Sequence, residues 1–220
     1  MSWHPLLLSF EVAAVASVLC AILGVALGTL LASPRTPMRD ALDVLFTAPL
    51  VLPPTVLGYY VLVALGRRSA IGMAYEALTG SSIVFTRTGA VVAATVGALP
   101  LVVKAARSSL EAIEPTLLDA ARTLGAGPLR VFVTVRFPLA ARGILAGVML
   151  AFARSLGDFG VTLMVAGDIP GETQTAALAI YDAIQAQREE EALALIVVLS
   201  VAAFVALYAV NKLSSRAHVV

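Results

Sequence analysis

Charge is what this sequence has least of. Only 13% of its 220 residues are Asp, Glu, Lys or Arg, where a water-soluble domain carries roughly 25% to dress its surface. An ordinary soluble globule is excluded. Cysteine is almost absent: Cys20 stands alone, so the chain cannot close an internal disulfide or a cysteine-pair metal site. Its thiol reads as a small apolar packing group. Aromatic residues make up 6% and are nowhere interleaved with a basic run, which removes nucleic acid from the expected partners. No Gly-x-x-x-x-Gly-Lys-Ser/Thr segment occurs, so the chain is not an ATPase by way of that phosphate loop. No catalytic residue, no metal ligand set and no cofactor of its own is expected.

What the chain has is apolar length. Hydrophobic residues make up 60% and mean hydropathy is +0.94. They are gathered into runs, with the charges in the stretches between. A helix needs about 20 apolar residues to cross a bilayer core. Five stretches qualify: Leu6–Leu31, Val44–Leu65, Ile83–Val103, Leu139–Leu156 and Ala192–Val210. Backbone polar groups in lipid must be satisfied within their own segment, so these runs are expected to be helices. The expected fold is an all-α integral membrane protein of about five transmembrane helices, one domain over residues 1–220. No Lys or Arg precedes the first run, which is longer than a signal's apolar core, so it is expected to remain as a span. No internal repeat marks an inverted-repeat transporter.

Lys and Arg orient the spans. With the segment after the third span inside, the inner side holds Arg35, Arg39, Lys104, Arg107, Arg122, Arg130, Arg136, Arg142, Lys212 and Arg216. The outer side holds Arg67, Arg68, Arg87 and Arg188, and Arg154 falls within or near the fourth span. Ten against four sets the N-terminus outside and the C-terminus in the cytoplasm. The expected location is the cytoplasmic (inner) membrane, crossed several times. Residues 157–171 are apolar but interrupted by Gly157, Gly160, Gly167 and Pro170. They predict a bent helix end or a re-entrant piece rather than a sixth span.

The loop between the third and fourth spans, within 108–138, is far less apolar than its flanks. Glu114-Pro115 suits a helix start. The run Thr116 to Leu124 has helix-favouring composition and an apolar face, and Gly125 and Gly127-Pro128 stop it. A second short helix is expected from Leu129 to Val135, ending at Phe137-Pro138. The spacing Asp119-Ala120-Ala121, three residues, Gly125, nine residues, Val135-Arg136-Phe137-Pro138 resembles the signature of ABC-importer permeases. That pattern has Glu, Ile and Leu where this chain has Asp119, Val135 and Phe137. Small Ala side chains suit close seating in a groove, and Gly125 permits a sharp reversal. The other reading of this stretch is an amphipathic helix on the membrane surface.

The resemblance implies the type I importer fold. It also implies that the loop couples the membrane helices to an ABC ATPase subunit through Asp119, Ala120, Ala121, Gly125 and Pro138. Two copies of the chain would stand over two ATPase subunits, which bind the ATP and Mg. A periplasmic or extracellular binding protein would deliver the cargo. Two more stretches, Ala48 to Tyr59 and Arg154 to Thr175, are similar to the molybdate permeases, with Ile169-Pro170-Gly171 and Thr173-Gln174-Thr175 tilting the likeness to molybdate. Sulfate and tungstate are the alternative cargoes, and an ion-coupled secondary transporter is the alternative class.

Read on their own chemistry, the prolines of the second span, Pro53 and Pro54 among them, remove helical hydrogen bonds. They give either a static kink or a hinge in the pathway. Arg154 and Asp158, four apart, are expected to pair on one helical face. An ionisable residue at membrane depth is costly enough to suggest a role, either holding the segment or touching a passing anion. Thr173 and Thr175 offer neutral donors of the kind weak conduction contacts use, or they simply turn the chain.

Overall fold

The computed structural model describes residues 3–33 and 36–215. Arg35 and Arg216, counted above as inner charges, lie outside the described residues. The helices follow one another as α1 (His4–Leu31), α2 (Arg39–Thr47), α3 (Pro54–Leu65), α4 (Ala70–Thr79), α5 (Arg87–Glu111) and α6 (Pro115–Thr123). They continue as α7 (Pro128–Val131), α8 (Phe137–Leu156), α9 (Gly160–Ala166), α10 (Ala176–Gln185) and α11 (Glu189–Ser215). No strand occurs among the described residues. Four of these stretches are long and apolar enough to span a membrane, and a broken pair makes the fifth.

The core is α1, α5 and α8 packed on one another, and small residues bring them together. A Cβ on Gly24 or Gly28 of α1 would stand 2.7 Å from Val102 Cβ and 2.6 Å from Ala106 Cβ of α5. Ala13, Ala16, Ala94, Ala98 and Ala151 are almost wholly buried. Lipid tails are as apolar as leucine, so burial alone cannot drive helices together. Close backbone approach and van der Waals contact do it instead. α11 closes on α8 and α10, and leaves Leu193, Val197, Val201, Phe204 and Val205 facing outward.

Three expectations are corrected. The second span, expected as one helix over Val44–Leu65 with a kink, is instead broken. α2 continues into a 3₁₀ turn (Ala48–Leu50), the helix stops, and α3 leaves at 112°. The cause is the Pro53-Pro54 pair. Pro54 disfavours the helical conformation for the residue before it, and Pro53 is accordingly extended at φ −53°, ψ 136°. Pro54 then starts α3, where its missing N–H costs nothing.

The third span starts at Arg87 rather than Ile83, with Thr86 as its cap, and runs past Val103 to Glu111. Lys104 and Arg107 therefore sit on that helix and not in the loop.

The expected end of a helix at Phe137-Pro138 does not occur either. Residues Pro128–Leu156 form one helical path, in which Phe132–Arg136 is a π turn. Pro138 has no N–H to give, and its ring presses on the carbonyl four residues back. Widening that turn absorbs it.

Candidate functional site

The α6–α7 loop is built by local hydrogen bonds. The Ala126 amide donates to the Ala121 carbonyl (3.1 Å) and the Gly125 amide to the Arg122 carbonyl (2.9 Å). This is the paired closure of a Schellman motif, which needs a left-handed residue just past the helix. Gly125 supplies it at φ +81°. The interval from Ala121 to Gly125 in the signature is thus the interval of a helix C-cap. No heavy atom lies within 4 Å of where a Cβ on Gly125 would stand. Backbone conformation, not space, requires the glycine.

α6 buries none of its residues. Leu117, Leu124 (88% exposed) and Leu129 (77% exposed) stand out from the loop. Ala120 is exposed beside them, and Asp119 pairs with Arg122 at 2.8 Å on the same surface. Pro138 stands 13 residues beyond Gly125, at the start of α8, so the signature spans the loop and enters the fourth span.

The second group lies where α8 gives way to α9. Gly157 ends α8, so Asp158 does not share a helix with Arg154 as expected. The two still meet, at 3.6 Å. The other Asp158 oxygen accepts from the Thr162 hydroxyl (2.6 Å) and amide (3.0 Å) in the first turn of α9. Asp158 and Thr162 are 4% and 1% exposed, and Arg154 is 37% exposed. The carboxylate thus binds the end of one helix to the start of the next. Gly97 of α5 leaves room above it: a Cβ there would be 3.7 Å from Asp158 Oδ1.

The same corner carries the broken span. A Cβ on Gly160 would stand 2.6 Å from Pro54 Cβ, and one on Gly58 would stand 2.7 Å from Met164 Cβ. So the structure brings Pro54, Arg154 and Asp158 into one neighbourhood through α9, with Pro53 capping α3 beside them. Thr173 and Thr175 are elsewhere. Thr173 is buried as a loop staple: its hydroxyl accepts from the Ile169 amide at 3.1 Å. Thr175 caps α10, and its buried hydroxyl has no hydrogen-bond partner among the described residues. The loop is tied back by the Arg87 guanidinium on the Glu172 carbonyl (3.2 Å) and by Ser9 of α1, which accepts the Ala176 amide (2.8 Å). A cleft of about 1170 Å³ opens between α3, α4 and the start of α5, lined by Arg67, Arg68, Ser69, Ser82 and Thr86 among others. None of the pathway residues named from sequence lines it.

One cluster escaped the sequence reading. Asp43 of α2 meets Lys104 (2.6 Å) and Arg107 (2.9 Å) of α5. Glu111 meets Arg107 (3.0 Å) and also Arg39 of α2. The signal was present, since 39 and 43 share one helix face and 104, 107 and 111 share another. It was read only as a count of inner charges.

The geometry now has counterparts. Residues 24–218 match the family described as binding-protein-dependent transport system inner membrane component. The molybdenum transport system permease protein ModB of Escherichia coli is 43% identical over 91% of this chain and 87% of its own length. A putative molybdenum transport system permease protein of Bacillus subtilis, YvgM, is 40% identical over 94% and 92%. Among solved structures, the inward-facing MetNI methionine ABC transporter superposes with TM-score 0.73 at 16% identity, over 99% of both chains. An amino acid ABC transporter superposes with TM-score 0.65, also at 16% identity, over 96% of this chain and 91% of that one. The chain belongs to the binding-protein-dependent transport system inner membrane components, among the molybdenum transport permeases.

Proposed function

We propose that this chain is the membrane-spanning subunit of an ATP-driven importer of molybdate, working as a pair of copies above two separate ATPase subunits. The N-terminus lies outside and the C-terminus in the cytoplasm. A binding protein outside delivers the oxyanion, and ATP with Mg is held by the ATPase, not by this chain. The observation that carries this reading is the α6–α7 loop. It is closed by its own hydrogen bonds and leaves Leu117, Leu124 and Leu129 exposed among the described residues. Exposed apolar side chains rimmed by a charged pair describe a docking surface. The kinship with molybdenum permeases supports the cargo.

The mechanism follows from the rod. Pro128–Leu156 is one helical path of 29 residues, about 43 Å long at 1.5 Å per residue. It begins at the docking surface and carries Arg154 in its last turn. A push on α7 when the ATPase subunits close is carried to the corner where Asp158 holds α9 and α9 holds α3. The break at Pro53 lets α3 move with that corner. Arg154 keeps part of its guanidinium, with its several donors, free for an anion.

The test is uptake of radiolabelled molybdate by cells lacking the gene, with and without its restoration, at scarce molybdate. Restored uptake that needs ATP and ignores excess sulfate is expected. Uptake displaced by sulfate or by tungstate moves the cargo to that anion. Uptake that survives ATP depletion overturns the importer class in favour of an ion-coupled carrier.

A further inference from the structure

We propose that Arg39, Asp43, Lys104, Arg107 and Glu111 form an ionic latch that holds the inner half of the broken second span on α5 and opens in each transport cycle. This rests on the importer reading above.

The charges form an antiparallel zipper. Along α2 the order is Arg39 then Asp43. Along α5, read backwards, it is Glu111, then Arg107 and Lys104. Arg39 and Asp43 each meet the opposite sign on α5. The latch matters because of what else holds α2. None of its residues is buried, so no apolar seat fixes it. The other half of the span is held differently, with α3 locked against α9 by the Gly58–Met164 and Pro54–Gly160 contacts. One half is bolted and the other is clasped by ions, with an extended Pro53 between them.

Ion pairs suit a clasp that must release. These groups are partly covered, with side-chain exposures from 18% at Arg107 and 19% at Asp43 to 46% at Lys104. Separated, each charge can regain water, at least cost for the more exposed Lys104 and Glu111. Opening an apolar seat would expose its whole area.

Position gives the latch its work. Glu111 ends α5, and Pro115 starts the docking helix four residues on. About four turns back along α5 from Glu111, Gly97 lies against the Arg154–Asp158 pair. A tilt of the inner end of α5 when the loop is pushed therefore strains the clasp directly. These are positioning residues: they contact no cargo.

The experiment uses the assembled transporter in proteoliposomes with its ATPase and cargo-loaded binding protein, and reads uptake per ATP hydrolysed. Asp43→Asn is expected to assemble, to hydrolyse ATP without cargo, and to lose about tenfold in uptake per ATP, a usual size for coupling between sites. Asp43→Glu is expected to keep the ratio of the unaltered chain. A purely structural brace would lower the yield of complex and leave the ratio alone, and that outcome overturns the latch. As a second arm, Asp43→Cys with Lys104→Cys in a Cys20→Ser background is bridged by a cleavable bifunctional thiol reagent. Bridging should stop both uptake and hydrolysis, and cleavage should return them to the unbridged level. A bridged complex that transports at the unbridged rate sinks the proposal. If the unaltered chain binds no ATPase, the importer reading itself fails and the latch goes with it.

Discussion

Gly125 and Gly160 each border a short helix, yet they are required for opposite reasons. Gly125 closes α6 at φ +81° in open space. Gly160 opens α9 with ordinary backbone, and a Cβ there would strike Pro54 at 2.6 Å. The α6–α7 loop is thus specified by its own residues and the α8–α9 corner by residues far along the chain. The loop can keep its shape without help from distant residues. The corner has a shape only while its neighbours hold it.

Substitutions can break that contrast, and the largest effect is expected at the corner. Gly160→Leu drives a side chain into Pro54 at the hinge of the second span. It should cost about 3 kcal/mol or more by overpacking and abolish uptake, with thermal unfolding in detergent reporting the loss. An intact melting temperature would show that α3 and α9 can separate cheaply.

Next comes Asp158→Ala, which strands the Thr162 hydroxyl and amide in a buried place. Each unsatisfied group costs about 1–3 kcal/mol. Asp158→Asn, which keeps an acceptor, should unfold at a higher temperature than the alanine variant. Equal melting temperatures would mean that the pairing with Arg154, not the cap on α9, carries the stability.

At the loop the effects should be smaller and functional. Gly125→Ala and Gly125→Leu should be equally harmful, about 1–2 kcal/mol for left-handed backbone with a Cβ, and both should uncouple ATP hydrolysis from uptake. Gly125→Asn should be milder, since Asn visits that conformation more readily. A graded loss with side-chain size would place the fault in space rather than backbone.

The smallest effect is expected from Asp119→Ala. Its pair with Arg122 is exposed on both sides, and such pairs contribute about 0–1 kcal/mol. The melting temperature should not move, while affinity for the purified ATPase should fall. A shifted melting temperature with unchanged affinity would make Asp119 part of the loop's scaffold.

The same contrast explains what could be read in advance. The spans were legible because apolar runs of membrane length are a one-dimensional property. Four of the expected stretches lie on long apolar helices whose ends differ by up to eleven residues, and the broken pair covers the second. The loop signature was legible because a Schellman closure depends on residues within one turn. The ends of spans were less so. Hydropathy falls at Lys104 although the helix runs to Glu111, and on that extension Asp43 of α2 meets Lys104 and Arg107. The short helices α4 and α10 were missed as helices, being too short to show a period, and α10 is anchored by the distant Ser9, while α9 falls in the stretch 157–171 expected as a bent helix end or a re-entrant piece. Arg154 and Asp158 were paired for the wrong reason: Gly157 ends the helix, and a turn, not a helical face, brings them together.

By itself the sequence determined that this chain carries about five apolar stretches of membrane length, and that a helix–glycine–helix loop stands between the third and fourth. Each follows from composition or from contacts within a few residues. Only the tertiary structure decided that the second span breaks by 112°, that Pro54 meets Gly160, and that Asp43 lies between Lys104 and Arg107. Those depend on which helix faces which, and helix against helix is settled by close fit and paired charge rather than by hydropathy.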